Sequence, residues 1–171
     1  MALVYHVGVE DKRQAADLLA HFAETAAEFG LATCLEPIVS GATSTLAQAR
    51  DLIRLSGAEV RILFDTWHLM RSGGGIEELR AIDPELIGYV QINDGLLVNP
   101  PQDILAEVKG ERLYIGTGEF PLVELMSIVR RDVPWGIETP SLSRVQAGMS
   151  AATQAREAMA AMQGLLDRIG G

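Results

Sequence analysis

Cysteine is nearly absent from this 171-residue chain, and the one thiol, Cys34, has no partner for an internal disulfide. Its place in the apolar run Leu31-Ala32-Thr33-Cys34-Leu35 predicts a buried, inert sulfur. Basic clusters are equally scarce. Arg130-Arg131 is the densest, against a formal net charge of -9 and a pI near 4.8, so the electrostatic footprint of a nucleic-acid binder is missing. No apolar run approaches the ~20 residues that cross a bilayer. The first residues lack the basic-then-apolar layout of a secretory signal. Together these absences predict a cytoplasmic protein that engages neither nucleic acid nor membrane.

What is present is a globular composition, 48% hydrophobic and 22% charged, too apolar for a disordered chain. The length suits one domain with a real core. Short apolar runs of strand length occur at residues 3–9, 32–35, 60–64, 86–92 and 135–137. Between them the spacing turns helical. Residues 11–29 carry Leu18, Leu19, Phe22, Ala26 and Phe29, with Gly30 placed to end the helix. Ser44 or Thr45 can cap a second helix bearing Leu46, Ala49, Leu52, Ile53 and Leu55, closed by Gly57. A short helix is expected over 76–82, and another after Pro121 with Leu122, Leu125, Met126 and Val129. The Ala/Met/Leu-rich residues 143–169 predict one long last helix. It would form an outer packing layer or an interface between copies of the chain. Residues 93–119 read as loops around a short helix near 104–108. The alternation β-α-β-α predicts an α/β fold of five βα units with parallel strands, forming a single domain over 1–171.

Chemistry gathers at the strand ends. Four of the five strands run into polar residues able to bind a metal or move a proton: Glu36, Asp65 with His68, Gln91 with Asp94, and Glu138. In parallel βα architectures these ends face the ligand. Each residue singly has an ordinary structural explanation. Glu36 can cap or be solvated, Asp65 can cap a helix, and His68 can pack. Gln91 can bond backbone, and Glu138 can pair with an arginine. Four together form one signal. Two Glu, one Asp and one Gln supply oxygen donors for a hard divalent ion, Mn²⁺ or Mg²⁺, with Co²⁺ also compatible. Without a cation, three converging carboxylates would raise one another's pKa. Carboxylates flanking a carbon next to a carbonyl can serve as base and acid. Among the smaller features, His6 is placed near the mouth of the site, His21 on a helix flank, and Gly73-Gly74-Gly75 in a loop beside the pocket. The triple glycine lacks the Lys-Ser/Thr of a phosphate-binding P-loop.

These segments resemble the sugar phosphate isomerase/epimerase superfamily with its xylose-isomerase-like TIM barrel. The resemblance rests on Cys34-Leu35-Glu36-Pro37, on Phe64-Asp65-Thr66-Trp67-His68-Leu69 with Arg71-Ser72-Gly73-Gly74, and on Tyr89-Val90-Gln91-Ile92-Asn93-Asp94. It continues through Arg112 and Gly116-Thr117-Gly118-Glu119 to Gly136-Ile137-Glu138. It implies metal ligation by Glu36, Asp65, Gln91 and Glu138, with Glu36 and Glu138 as the acid/base pair. It also implies substrate contacts from His68 and Arg112, and Trp67 is placed either as a wall of the sugar site or behind it. The implied reaction is isomerisation or epimerisation of a sugar or polyhydroxy ketone. Gln91 stands where many of the epimerases have His and is similar to the 3-dehydroshikimate dehydratases of the same superfamily, so elimination is the alternative. A full (β/α)₈ barrel needs about 250 residues. The match starts near the family's fourth strand, so an incomplete barrel of about five of eight units is expected, with two open edges. Such a chain is expected to be a fragment of a longer product. Strands supplied by a partner, an open sheet, and a non-catalytic truncated domain are the other readings.

Overall fold

The structure, a computed structural model, describes residues 1–5 and 9–170. Its elements in order are β1 (Ala2–Tyr5), α1 (Lys12–Glu28), β2 (Thr33–Glu36), α2 (Leu46–Ser56), β3 (Val60–Asp65), α3 (Thr66–Arg71) and α4 (Ile76–Arg80). After a 3-10 turn at Pro84–Leu86 come β4 (Ile87–Ile92), α5 (Ile104–Gly110), α6 (Leu122–Ile128), β5 (Trp135–Ile137), α7 (Leu142–Gln146) and α8 (Ala151–Gly170). The sheet order is β1-β2-β3-β4-β5 with every neighbouring pair parallel. The expected fold is therefore found: an incomplete TIM-type barrel, five parallel strands curled into a half-barrel with helices outside.

Local chemistry sets the boundaries. Asp11 caps α1 by accepting the N–H of Gln14, and Thr45 caps α2 by accepting that of Gln48. Gly30 and Gly57 follow these helices at φ 69° and 65°, the left-handed region in which a side chain is disfavoured. The helix expected over 143–169 is instead two, because Gly148 turns left-handed at φ 80°. Ser150 then receives the N–H of Thr153 and restarts the chain as α8. Pro121 stands one position outside α6 rather than within its first turn. Helix α3, unmarked by periodicity, follows β3 without a loop.

The core lies between sheet and helices. Leu35, Ile62, Phe64, Val90 and Ile92 from the strands meet Leu19, Ala49, Ile53, Leu79, Leu125 and Leu165 from the helices, all buried. Cys34 is buried as expected. The apolar stripe of α1 is wider than the face that packs. Leu19 and Ala26 are buried, but Leu18, Phe22 and Phe29 remain exposed, the last at 75%. Helix α1 has α2 on one flank and the open β1 edge on the other. Beside that edge Val4, Leu18, Leu19, Phe22, Leu35 and Leu52 line a groove of about 370 Å³. Trp135, Ile137, Met159, Met162 and Leu166 line another of about 510 Å³ at the β5 edge. Among the described residues no helix is long and apolar enough to cross a membrane.

Candidate active site

The sheet register brings the strand-end residues together. Asp65 lies level with Gln91, and Gln91 with Gly136, across three adjacent strands. Glu138 follows two residues later, its N–H held by the carbonyl of Ile92 at 3.0 Å. Glu36 ends β2.

Asp65 is the most tightly held carboxylate. Its Oδ1 accepts the N–H groups of Trp67 at 2.7 Å and His68 at 2.9 Å, which makes it the N-cap of α3. Asn93 Nδ2 donates to both oxygens, at 3.3 and 3.1 Å, and Asn93 is itself fixed by Thr66. The capping role and the site role thus fall on one residue. Oδ2 completes its set with Arg112 Nη1 at 2.9 Å.

Arg112 reaches this position from a short extended segment. Glu111 bridges to Ser141 and Leu113 to Asp94, both antiparallel, while the Arg112 N–H donates to Pro140 O at 3.1 Å. Its side chain thereby enters across the ends of β4 and β5. Nη1 contacts Asp65 Oδ2 and Glu138 Oε2 together, and the guanidinium lies over the Trp67 ring, 4.9 Å from its centroid. Arg112 Nε is buried with no partner, as is Gln91 Oε1.

Electrostatics follows from this crowding. Burial, reinforced by the charges of Asp65 and Glu138 and opposed by Arg112, pushes the Glu36 carboxyl up to about 8. Burial also lifts Glu138, with Arg112 opposing and Asp65 adding, to about 7. Burial lowers His68 to about 4, with smaller effects from Asp65 upward and Arg112 downward, so it is neutral near pH 7. Its Nδ1 accepts the Val39 N–H at 3.1 Å, which assigns the ring proton to Nε2, 3.8 Å from Glu36 Oε1.

Of the residues singled out from sequence, Glu36, Asp65, Gln91, Glu138, His68 and Arg112 sit in this cluster. Trp67 is fully buried behind it, edge-to-face with His68 at 5.0 Å. Asp94 lies below, accepting backbone N–H groups from Gly95, Gly116, Gly118 and Phe120. His6 is outside the described residues. Sequence reasoning passed over Asn93 and Thr66, which orient Asp65. It also passed over Glu107, which holds Arg71 through two hydrogen bonds of 2.9 and 2.6 Å. For Asn93 the signal was its position directly after β4.

The model of the family described as xylose isomerase-like TIM barrel matches residues 4–165. The chain belongs to the xylose isomerase-like TIM barrel family. No curated protein matches it in sequence. Among solved structures it resembles the IolI protein with a bound zinc atom, at 21% identity and a TM-score of 0.74, over 98% of this chain and 63% of that one. An L-ribulose 3-epimerase matches at 18% identity and 0.72, over 99% of this chain and 61% of the other. The probable 3-DHS dehydratase AsbF from Bacillus anthracis matches at 15% and 0.64, over 77% and 52%. The chain thus spans less than two thirds of the length of these structures. At such identities they establish the fold.

The donor chemistry of this barrel end suits a hard cation. Three carboxylates and a buried amide oxygen without a protein partner stand at the ends of neighbouring strands, and two of the carboxyls are pushed toward neutrality by burial and the charge of Asp65. Glu36, Asp65, Gln91 and Glu138 are the residues that could hold the ion. Among the described residues, however, no three His, Cys, Asp or Glu groups are gathered round a metal-sized space. The Arg112 guanidinium lies between Asp65 and Glu138.

Proposed function

We propose that this chain carries the acid/base end of a divalent-metal-dependent isomerase or epimerase acting on a small sugar or polyhydroxy ketone. The observation that carries the reading is the pair Glu36 and Glu138, set near neutrality at about 8 and about 7 beside the unpartnered Gln91 oxygen. Burial lifts both carboxyls toward neutrality, the range in which groups that take up and return a proton must work. Glu36 and Glu138 are the pair that takes a proton from the carbon beside the carbonyl and returns one. Neutral His68 offers its Nε2–H to a substrate oxygen, and Arg112, anchored over Trp67, meets the substrate's polar end. Mn²⁺ or Mg²⁺ held by Glu36, Asp65, Gln91 and Glu138 would supply stabilisation of negative charge on the oxygens flanking the reacting carbon.

A second reading, elimination of water from a cyclic hydroxyketone such as 3-dehydroshikimate, is favoured by Gln91 standing where many epimerases carry His. It also agrees with the structural likeness to AsbF.

The test incubates the protein with Mn²⁺ or Mg²⁺ and a panel of ketoses, or 3-dehydroshikimate, in D₂O. Deuterium uptake at the carbon beside the carbonyl with interconversion of epimers supports the first reading. A conjugated ultraviolet-absorbing product supports the second. The Glu138→Gln variant should abolish either, together with the calorimetric heat of Mn²⁺ binding. If Mn²⁺ binds but no substrate turns over, the chain acts as a metal-binding partial domain.

A further inference from the structure

The residue most at odds with metal binding is Arg112. The Oδ1 atom of Asp65 accepts two backbone N–H groups, and the Asn93 amide is shared between Oδ1 at 3.3 Å and Oδ2 at 3.1 Å, which leaves Oδ2, free of backbone donors, as the atom better able to turn to an ion. Oδ2 is where Arg112 Nη1 sits, at 2.9 Å, and the same nitrogen contacts Glu138 Oε2. An ion held by both carboxylates would need the space between them that Arg112 Nη1 fills. A guanidinium cannot shed its charge to make room.

We propose, resting on the metal-site reading above, that Arg112 is a built-in counter-cation that competes with the divalent ion. In the metal-free chain it holds Asp65 and Glu138 together. Loading the ion requires the guanidinium to withdraw from them, after which it is free to meet substrate.

Three observations support the exchange. The arginine is anchored by its backbone, through the bridges of Glu111 and Leu113 and the Pro140 carbonyl, so its head can move while its stem stays. Its Nε is buried without a partner, so the present position leaves a donor unused. The guanidinium also lies over the Trp67 ring, 4.9 Å from its centroid, a cation–π contact that does not itself depend on either carboxylate.

The apparent affinity for the ion is reduced by the fraction of molecules in which Arg112 is withdrawn. If that fraction is about 1–10%, removing the competitor tightens binding about 10- to 100-fold.

The experiment is calorimetric titration of the full chain with Mn²⁺ at pH 8, comparing wild type, Arg112→Met and Arg112→Lys, with thermal unfolding of each before and after loading. Arg112→Met keeps the length and removes the charge. It should bind Mn²⁺ at least tenfold more tightly, unfold at lower temperature when metal-free, and gain more from the ion than wild type does. Arg112→Lys, which keeps the charge but not the fork, should fall between the two. Equal or weaker binding by a folded Arg112→Met overturns the competition while leaving the metal site standing. Should Arg112→Met fail to fold, the lysine variant decides in the same way: tighter binding supports the competition, equal or weaker binding overturns it. No Mn²⁺ heat in any form overturns the metal reading and the competition with it.

Discussion

Replacing Asp94 by Asn tests how the long connection between β4 and α6 is held. Asp94 is 1% exposed. Its Oδ1 accepts the N–H groups of Gly95 at 2.8 Å and Phe120 at 3.0 Å, and its Oδ2 those of Gly116 at 2.9 Å and Gly118 at 3.0 Å. Asparagine has nearly the same shape but one acceptor oxygen. Whichever way its amide turns, an NH₂ group faces two backbone N–H groups, so two bonds to a charged acceptor are lost. Each is worth about 1.5–3 kcal/mol, and some relaxation of the loop offsets part of the sum, so a loss of about 3 kcal/mol is expected. With a urea slope of about 2 kcal/mol/M, the midpoint falls by about 1.5 M at unchanged slope. The control is Asp103→Asn, an exposed cap with a single bond to the Ala106 N–H, where Asn caps as well as Asp and a few tenths of a kcal/mol are expected. A shift for Asp94→Asn no larger than for Asp103→Asn would refute the anchoring role.

Two further predictions concern buried charge. Glu36 has a folded pKa of about 8 against an ordinary 4.5. Its stabilising contribution is therefore complete below 4.5 and lost as pH rises through 8. Glu138 acts in the same direction. Metal-free protein in chelator should melt at progressively lower temperature as pH rises from 4.5 toward 8 and level off above it, and Glu36→Gln should flatten the decline; superimposable profiles would count against the burial argument. Arg71 and Glu107 have side chains only 8% and 2% exposed. Arg71→Met leaves Glu107 buried and unpaired, at a cost of about 3–5 kcal/mol. The double variant with Glu107→Leu should recover more than half of that in urea titration, and no recovery would show that Arg71 acts through Trp67 and Phe120 instead.

Much of the architecture was legible because parallel βα units write a strong local pattern. The strand cores at 33–35, 60–64, 87–92 and 135–137 are apolar runs between glycine, proline and polar punctuation, and each forms where expected. Ser44 or Thr45, Gly30 and Gly57 mark helix ends by residue type alone. Helix α3 was invisible because its six residues cannot display a 3.6-residue period. The break at Gly148 was hidden because the surrounding Ala-rich sequence favours helix on both sides. The exposure of Leu18 and Phe22 depends on which neighbour packs beside α1, a fact carried by no local segment. At the site, residue types at the strand ends were readable. The placement of Arg112 between two carboxylates was not, because it depends on bridges from 111–113 to residues 94 and 141, far apart in sequence.

The strand order along the sheet is the order of the strands along the chain. Each βα unit therefore docks on the one synthesised just before it, and no strand waits for a later one to be inserted between neighbours. Cohesion becomes a nearest-neighbour property, close to that of stacked repeats. Folding can advance from one edge like a zipper and keep pace with synthesis. The same linearity locates fragility: a disruption at β3 would split the array in two, while one at β1 or β5 would only shorten it. Hydrogen exchange should then be slowest in β3 and quicken toward both edges.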